Sequence, residues 1–485
     1  MEFKIPPPHR EYTRNKLLFL LYFSENEPTP SILYDNLCQQ MRKITNEKFT
    51  VISDQKFNLA FQLFKVDLPC RSLSICIKQH NGYYCCSNCL QHGKTVGGTC
   101  VYYSLDEKQP TCSRRDYIDA ATEAERNQNQ ISVFGAHGNS PLLSLFFNAQ
   151  VNCPLDYMHL CSESAIGNQK IIVFFLLFIS LPLILTFGTD AIISHFMLYF
   201  VAIRVMHLYE NIEDVINVKP LLDKYREDIS VVYQDEKLNL YSLHAHEYLV
   251  EQVLSHGASF AHGCFGDESF LGTLKRSRTQ NRRIPYQIFK SYLLRDWELN
   301  EEHTKATVNS IFIDEKIFDR SFVNLNVHHD HYNDFQLLYK IQFKEAMNEN
   351  FSLYCRFQRG IVKFSSLLYS RIGSQLTNII SFKNTSCPVK KHKCFAIIIW
   401  YFHYESTNYA FIKLLICTDN VIRTTRTDEL GNIAPSFIDR FYSVIDMNTS
   451  DLSIINVKHI LHQCVIIPFY DLHLFSEVLC NYEHD

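Results

Sequence analysis

The feature that most constrains this chain is a stretch of seventeen residues without a charged side chain, residues 171–187, followed by a second apolar run at 191–205. The first run is at the lower length limit for a transmembrane helix, and the second contains His195 and Arg204. Two interpretations follow. Residues 171–207 form either a hairpin of two membrane spans or buried helices in the core of a large helical domain.

Composition describes a globular chain with no overall attraction to nucleic acid. The 485 residues can form two or three domains, and 46% hydrophobic with 20% charged residues excludes a disordered chain. The net charge is −4, so DNA contacts would have to come from local basic patches. The seventeen cysteines are scattered and no apolar signal core opens the sequence, so reduced thiols and a nuclear or cytoplasmic location are expected.

Periodicity divides the chain into three parts, with a mixed α/β class followed by β structure as the expected fold. Residues 1–115 are predicted to form a partial α/β core, and residues 116–300 are mostly helical in pattern. Residues 301–485 are predicted to form a smaller β-rich domain. The runs that indicate strands there are rich in aromatic and β-branched residues and lie at 351–357, 362–370, 395–403 and 465–469.

The first part contains an acidic residue at a position typical of an active site. A helix is predicted from residue 29 to about residue 43, and strands are predicted at 49–53 and 59–66. The second strand is almost entirely apolar and stops at Asp67. An α/β sheet usually presents a carboxylate at its C-terminal edge in this way.

A cysteine pair follows Asp67 on a predicted tight turn. Cys86 and Cys89 form a CxxC motif, with Cys85, His92 and Cys100 nearby. Two thiolates at this spacing can hold one face of a tetrahedral zinc site, with the other ligands coming from elsewhere in the chain. A lone CxxC is a weak signal, and two reduced loop cysteines are the plain alternative.

Several motifs occur in an order that is more specific than any one of them. The order resembles that of CACTA (EnSpm/Tnp2-like) DDE transposases over roughly residues 1–295, and the apolar stretch resembles the helical insertion of that family. This likeness favours buried helices over membrane spans. In chain order the motifs are VDLPCRSLSICIKQHNGYYCCSNCLQHGK at 66–94, SRRD at 113–116, HGNSPL at 137–142, PLDYMH at 154–159, and the segment 255–276.

The resemblance implies an incomplete RNase H-like catalytic domain with a DDE mechanism. In such enzymes three carboxylates hold two divalent ions, here Mg²⁺, for in-line attack on a DNA phosphodiester. Asp67 matches the second catalytic Asp of the family, and Glu268 matches its Glu. Asp156 and His159 match its DxxH motif, which is expected to support the site. Without the flanking motifs these residues would be ordinary helix caps and surface groups.

The resemblance also implies a structural zinc site, Zn²⁺ being held by the CxxC and by two histidines one helical turn apart. With Cys86 and Cys89, the candidates are His244 and His246. His244 matches the first family histidine, but the second position falls at Tyr248. His246 could replace it only outside a helix, because residues i and i+2 do not share a helix face.

A basic run directly after Glu268 is the candidate DNA-binding surface. In an enzyme that acts on DNA, this run would bind phosphates beside the active site. The alternative is an ordinary solvated surface. Its residues are Lys275, Arg276, Arg278, Arg282 and Arg283.

The first catalytic Asp of the family has no counterpart in this chain. The residues before Asp67 resemble the family between its first and second Asp, and neither Asp35 nor Asp54 has the expected neighbours. The expectation is a 5′-truncated or degenerate transposon-derived copy that is catalytically impaired, with DNA as its partner. Exposed sheet edges would also permit a homo-oligomer. The alternatives are an active metal-dependent transposase with an unrecognised first Asp, and the two-span membrane protein.

Overall fold

The protein divides into two compact units, residues 1–302 with 482–485, and residues 303–481. The structure is a computed structural model. The structure describes residues 28–46, 49–51, 55–57, 63–103, 110–127, 131–145, 148–162, 175–276, 283–305, 315–321, 330–347, 351–359, 362–369, 378–383, 394–417, 438, 440–447, 451–469 and 472–478.

The first unit is mainly helical where it is described, with two short hairpins. The hairpins pair β1 (Phe49–Val51) with β2 (Gln55–Phe57), and β3 (Lys94–Val96) with β4 (Thr99–Val101). The helices are α1 (Pro30–Asn46), α2 (Leu68–Ser74), α3 (Arg114–Arg126), α4 (Ala149–Asn152), α5 (Tyr157–Ser162), α6 (Ser180–Phe187), α7 (Asp190–Leu208), α8 (Ile212–Asn217), α9 (Lys219–Val232), α10 (Tyr241–Ala245), α11 (Leu249–His256), α12 (Phe265–Arg276) and α13 (Ile284–Lys305).

The predicted carboxylate at a strand end is instead a helix cap. The start of α1 and the strand at 49–51 are confirmed, but residues 63–66 form no strand, and 58–62 lie outside the described residues. The Oδ1 of Asp67 accepts a hydrogen bond from the backbone N–H of Cys70 at 2.8 Å, which makes Asp67 the N-cap of α2. Pro69 suits the first turn of a helix and cannot donate to a sheet, so the sequence after Asp67 favours this helix start.

The second apolar run forms α7. Among the described residues, α7 is the one helix long and apolar enough to cross a membrane, and 67% of its apolar window is buried inside the structure. Its polar side chains have partners there. Arg204 donates to the carbonyl of Leu177 and lies over the ring of Phe178, and the Nε2 of His195 donates to the carbonyl of Tyr225 at 2.8 Å.

The second unit contains a large antiparallel sheet. Its pairings close a ring in the order β9-β10-β11-β14-β13-β8 and back to β9, with β12 beside β10 and with β6, β5 and β7 extending from β9. All six ring strands contribute to one buried cluster that includes Phe395 and Phe475, whereas Trp400 packs against Phe335 in a separate cluster. The elements are β5 (Glu315–Ser321), α14 (Tyr332–Phe343), β6 (Leu353–Arg359), β7 (Val362–Ser365), β8 (Ile379–Phe382), β9 (Cys394–Tyr404), β10 (Thr407–Cys417), β11 (Ser443–Asp446), β12 (Leu452–Asn456), β13 (Ile460–Phe469) and β14 (Leu472–Val478).

The fold class is therefore mixed, with helices and a large antiparallel sheet. The finer RNase H-like assignment stays a prediction, because the described part of the first unit contains only the two hairpins as sheet structure.

Candidate functional site

Four residues that the sequence separates by up to two hundred positions form what we call the acidic centre: Asp67, Asp156, His159 and Glu268. Asp67 caps α2, Asp156 directly precedes α5 and His159 lies within it. Glu268 lies in the first turn of α12. Each side chain is thus held at or near the start of a helix.

His159 contacts two of the carboxylates of the acidic centre. Its Nδ1 is hydrogen-bonded to the Oδ2 of Asp156, and its Nε2 lies 3.3 Å from the Oε1 of Glu268. The hydrogen bond to Asp156 is the main cause that raises the pKa of His159, and the charges of Asp156, Glu268 and Asp67 act in the same direction. The imidazolium form is therefore stabilised between two carboxylates.

Asp156 is the buried member of the acidic centre, with 1% of its surface exposed. While its Oδ2 faces His159, its Oδ1 accepts a hydrogen bond from the backbone N–H of Cys264 at 3.1 Å. Both oxygens are therefore engaged by protein groups. Such engagement is needed for a carboxylate removed from water.

The segment that carries Asp67 is attached to the helix that carries Glu268. The Nζ of Lys65 lies 3.5 Å from the Oδ2 of Asp267, the residue next to Glu268. Burial is the main cause that raises the pKa of Glu268, and the charge of Asp67 adds to it while His159 opposes it. Asp67 and Glu268 therefore lie within electrostatic reach of each other.

The acidic centre does not fit a magnesium ion in this arrangement. Mg²⁺ requires oxygen ligands at about 2.1 Å in near-octahedral geometry. In the described part of the chain, one group of at least three His, Cys, Asp or Glu residues has its ligand atoms within 4.8 Å of one another. That group contains no carboxylate. Instead, His159 stands between Asp156 and Glu268.

That one group consists of Cys86, Cys89 and His244, all buried. The Sγ of Cys89 lies 3.4 Å from the Nε2 of His244, across 155 positions of sequence. A tetrahedral zinc ion with Zn–S of about 2.3 Å and Zn–N of about 2.0 Å separates sulfur and nitrogen by about 3.5 Å. The three side chains therefore fit Zn²⁺.

The pKa values of the two thiols are shifted in opposite directions. A hydrogen bond from Cys86, and then those from His244 and Tyr248, lower the pKa of Cys89 to about 4, against the opposing effect of burial. Burial raises the pKa of Cys86. The thiolate form that zinc requires is therefore favoured at Cys89 and disfavoured at Cys86.

Two charged residues, Glu247 and Arg226, lie on the side of His244 that faces away from the cysteines. Its Nδ1, which faces away from the cysteines, lies 3.8 Å from the Oε2 of Glu247 and has no hydrogen-bond partner. The Nη2 of Arg226 lies 3.2 Å from the same carboxylate oxygen. Metal-bound histidines usually have a carboxylate at the second ring nitrogen in this way.

Arg71 connects the cysteine turn to the acidic centre. It lies one turn after Asp67 on α2 and is buried. Its Nη2 donates to the Oγ of Ser87, between the two zinc-site cysteines, at 2.6 Å, and its Nε donates to the carbonyl of Cys153 at 3.1 Å. One side chain therefore holds both the turn and the segment that leads to Asp156.

The structure does not place His246 with the cysteines. Its Nδ1 donates to the carbonyl of Ser242 at 2.7 Å, and its Nε2 lies 3.3 Å from the hydroxyl of Tyr199. Burial lowers the pKa of His246 to about 4, so it is neutral. Residues 241–256 are helical throughout, so His246 points away from the face of His244.

The basic run is described only in part. Lys275 and Arg276 are exposed in the last turn of α12, and Arg283 is exposed just before α13. Arg278 and Arg282 lie outside the described residues.

Sequence reasoning missed three of the residues that organise the site: Arg71, Glu247 and Arg226. Each is a charged residue in a helix, where such residues are usually solvated, and only the fold reveals their partners. Tyr248 had one signal, since it occupies the position of the second family histidine.

Together, the fold and the site define a mixed α and β protein with a buried Cys₂His group beside an acidic centre. Compared with known proteins, the chain matches no family model, no curated protein and no solved structure. The resemblance to CACTA transposases therefore rests on the motifs.

Proposed function

We propose that the protein is a transposon-derived DDE-type transposase remnant that binds DNA and is catalytically impaired. The observation that supports this most is the convergence of Asp67, Asp156, His159 and Glu268, four residues singled out by the family motifs alone. Asp156 and Glu268 contact the imidazole of His159, and Asp67 acts on it through its charge, although these carboxylates come from three separate segments.

Zinc has a structural role in this proposal. Cys86 and Cys89 would hold it from the turn after α2, and His244 from α10. When bound, the ion links these two distant segments and adds folding free energy, as structural zinc sites do. No chemical step passes through it.

Catalytic impairment follows from the contacts that the three carboxylates already make with protein groups. Asp67 caps a helix, Asp156 is bonded to His159 and to the backbone of Cys264, and Glu268 faces His159. Paired metal ions need carboxylates that converge on them, and loss of one ligand costs orders of magnitude in rate.

DNA binding is assigned to the C-terminal end of α12. Glu268 and Arg276 lie on the same helix, separated by about 12 Å along its axis. Lys275 and Arg276 are exposed there, where positive charge also interacts favourably with the helix dipole. A phosphate backbone that contacts this end would pass beside the acidic centre.

DNA binding is tested by fluorescence anisotropy with labelled duplex DNA over a series of salt concentrations. The double variant Lys275→Ala/Arg276→Ala is expected to bind more weakly and to lower the slope of log K against log salt by about 2. The matched control Lys340→Ala/Lys344→Ala removes two exposed charges, one from the last turn of α14 and one from the residue after it, and is expected to leave the slope unchanged. Equal slopes for all three proteins would contradict the assignment.

One observation favours a second candidate, an active metal-dependent DNA enzyme. Asp156 is a third carboxylate whose charge acts on Glu268, as does that of Asp67. If His159 moved away, Asp156 would be the replacement for the missing first Asp. This candidate predicts cleavage that depends on Glu268.

A further inference from the structure

Tyr248 lies where a fourth zinc ligand would have to come from. Helix α10 continues through a 3₁₀ turn at His246–Tyr248 into α11, so Tyr248 follows His244 by four residues on the same helical face. The two rings contact edge to face, with centroids 5.6 Å apart.

The hydroxyl of Tyr248 faces the cysteine pair. Burial raises the pKa of Tyr248, and the charges of Cys86 and Cys89 act in the same direction, so the phenol lies close to both thiols. Zinc bound by Cys86, Cys89 and His244 would therefore have this oxygen as an additional donor close by.

Three of the other donors in this region are engaged elsewhere. His246 is bonded to Ser242 and faces Tyr199, and the Sγ of Cys85 donates to the carbonyl of His80 at 3.6 Å. Glu247 faces the outer nitrogen of His244.

We propose that the phenolic oxygen of Tyr248 is the fourth ligand of the zinc site, giving a Cys₂HisTyr set. This inference rests on the zinc site of the proposed function and specifies its ligands. On binding, the phenol O–H bond breaks, a Zn–O bond forms, and the proton leaves to solvent. Two thiolates and one phenolate around Zn²⁺ leave one net negative charge, which the buried guanidinium of Arg71 offsets because it interacts with Cys86.

The test compares the full-length wild type with Tyr248→Phe, Tyr248→His and the control Tyr233→Phe. Zinc is added to metal-free protein while proton release, affinity and near-ultraviolet absorption are measured. The wild type is expected to release one more proton per zinc than Tyr248→Phe and to develop a tyrosinate band that this variant lacks. Tyr248→Phe is expected to bind zinc at least about 10-fold more weakly, since even outer-shell losses cost this much. Tyr248→His is expected to keep tight binding without the band, and Tyr233→Phe to match the wild type.

Failure of the tyrosine ligand and failure of the zinc site itself give different results. If the wild type binds zinc through Cys86 but shows no tyrosinate band, or if Tyr248→Phe has unchanged affinity and proton release, the tyrosine ligand is wrong and the zinc site stands. If the wild type binds no zinc, or binds it equally after Cys86→Ser, the zinc site of the proposed function is wrong. The tyrosinate band needs no substitution, so a variant that fails to fold does not remove the test.

Discussion

At the scale of single residues, the proposed function gives His159 the role that a metal ion has in an active DDE enzyme. It places positive charge between two carboxylates that would otherwise repel each other, Asp156 and Glu268. A protonated imidazole does this through hydrogen bonds and without open coordination positions. His159 therefore offsets part of the negative charge of the acidic centre.

His159 should stabilise the first unit in a pH-dependent way. Because its pKa is raised in the folded state, the stabilisation is complete below the unfolded value of about 6.5 and declines as pH rises through the folded pKa. His159→Ala leaves the buried Asp156 without this partner and should cost about 3 kcal/mol at about pH 6, and less at higher pH. Urea unfolding across a pH series measures this difference.

The control for that series is His256→Ala, which removes an imidazole that contacts the carbonyl of Val151. A cost for His159→Ala that does not vary with pH, or that grows with pH, would show that His159 is not the cation of the acidic centre.

Among single residues, the sequence predicts candidate metal ligands where a short spacing brings their side chains together. Cys86 and Cys89 are brought together by their own turn, and the match of His244 depends on the order of the motifs. His246 could not be placed without knowing that residues 241–256 are helical. The buried guanidinium of Arg71 has no local sequence signal at all.

At the scale of elements, the cysteine turn depends on a close backbone approach. Gly135 has φ +82°, and its carbonyl accepts from the N–H of Lys78 at 2.9 Å. A Cβ at this position would lie 2.0 Å from the carbonyl oxygen of Tyr84, immediately before the cysteines. Since backbone cannot move aside as a flexible side chain can, glycine is required here.

Gly135→Ala is therefore expected to destabilise the first unit by about 2 to 4 kcal/mol and to weaken zinc binding. Gly98→Ala is the matched control, because Gly98 has φ +84° with nothing within 4 Å of an added Cβ, so only the backbone strain of about 1 kcal/mol applies. Thermal unfolding with and without zinc measures both effects. Equal costs for the two variants would show that the turn does not pack as described.

Helices and strands were predictable where the local pattern is strong. α1 and the aromatic strands β6, β7, β9 and β13 lie where periodicity places them. The strand predicted up to Asp67 is absent from residues 63–66, because Pro69 and the Asp67 side chain favour a helix start over a sheet edge. Apolar runs of this length fit either a strand or a buried segment.

At the scale of the whole molecule, the zinc ligands all belong to the first unit, whereas the closed ring of strands belongs to the second. Ring closure joins strands that are distant in sequence, such as β8 with β13, and no local pattern specifies those pairs. The sequence therefore indicated a β-rich region but not its topology.

Zinc should stabilise one unit and leave the other unchanged. Chelation should lower the unfolding midpoint of the first unit, since zinc at about a thousand times its Kd contributes about 4 kcal/mol. Trp400 is buried in the second unit, so its fluorescence in a Trp297→Phe background reports that unit separately. Far-ultraviolet circular dichroism is expected to follow the helices of the first. A zinc-dependent midpoint for Trp400 would contradict a zinc site confined to the first unit.

The most direct test of the proposed, catalytically impaired DDE centre is cleavage of labelled DNA in Mg²⁺ or Mn²⁺ by the wild type and by Glu268→Gln, purified identically. We predict no nicking or strand transfer by the wild type above the level of the variant. Metal-dependent cleavage by the wild type that Glu268→Gln abolishes would contradict this prediction and establish the active enzyme instead.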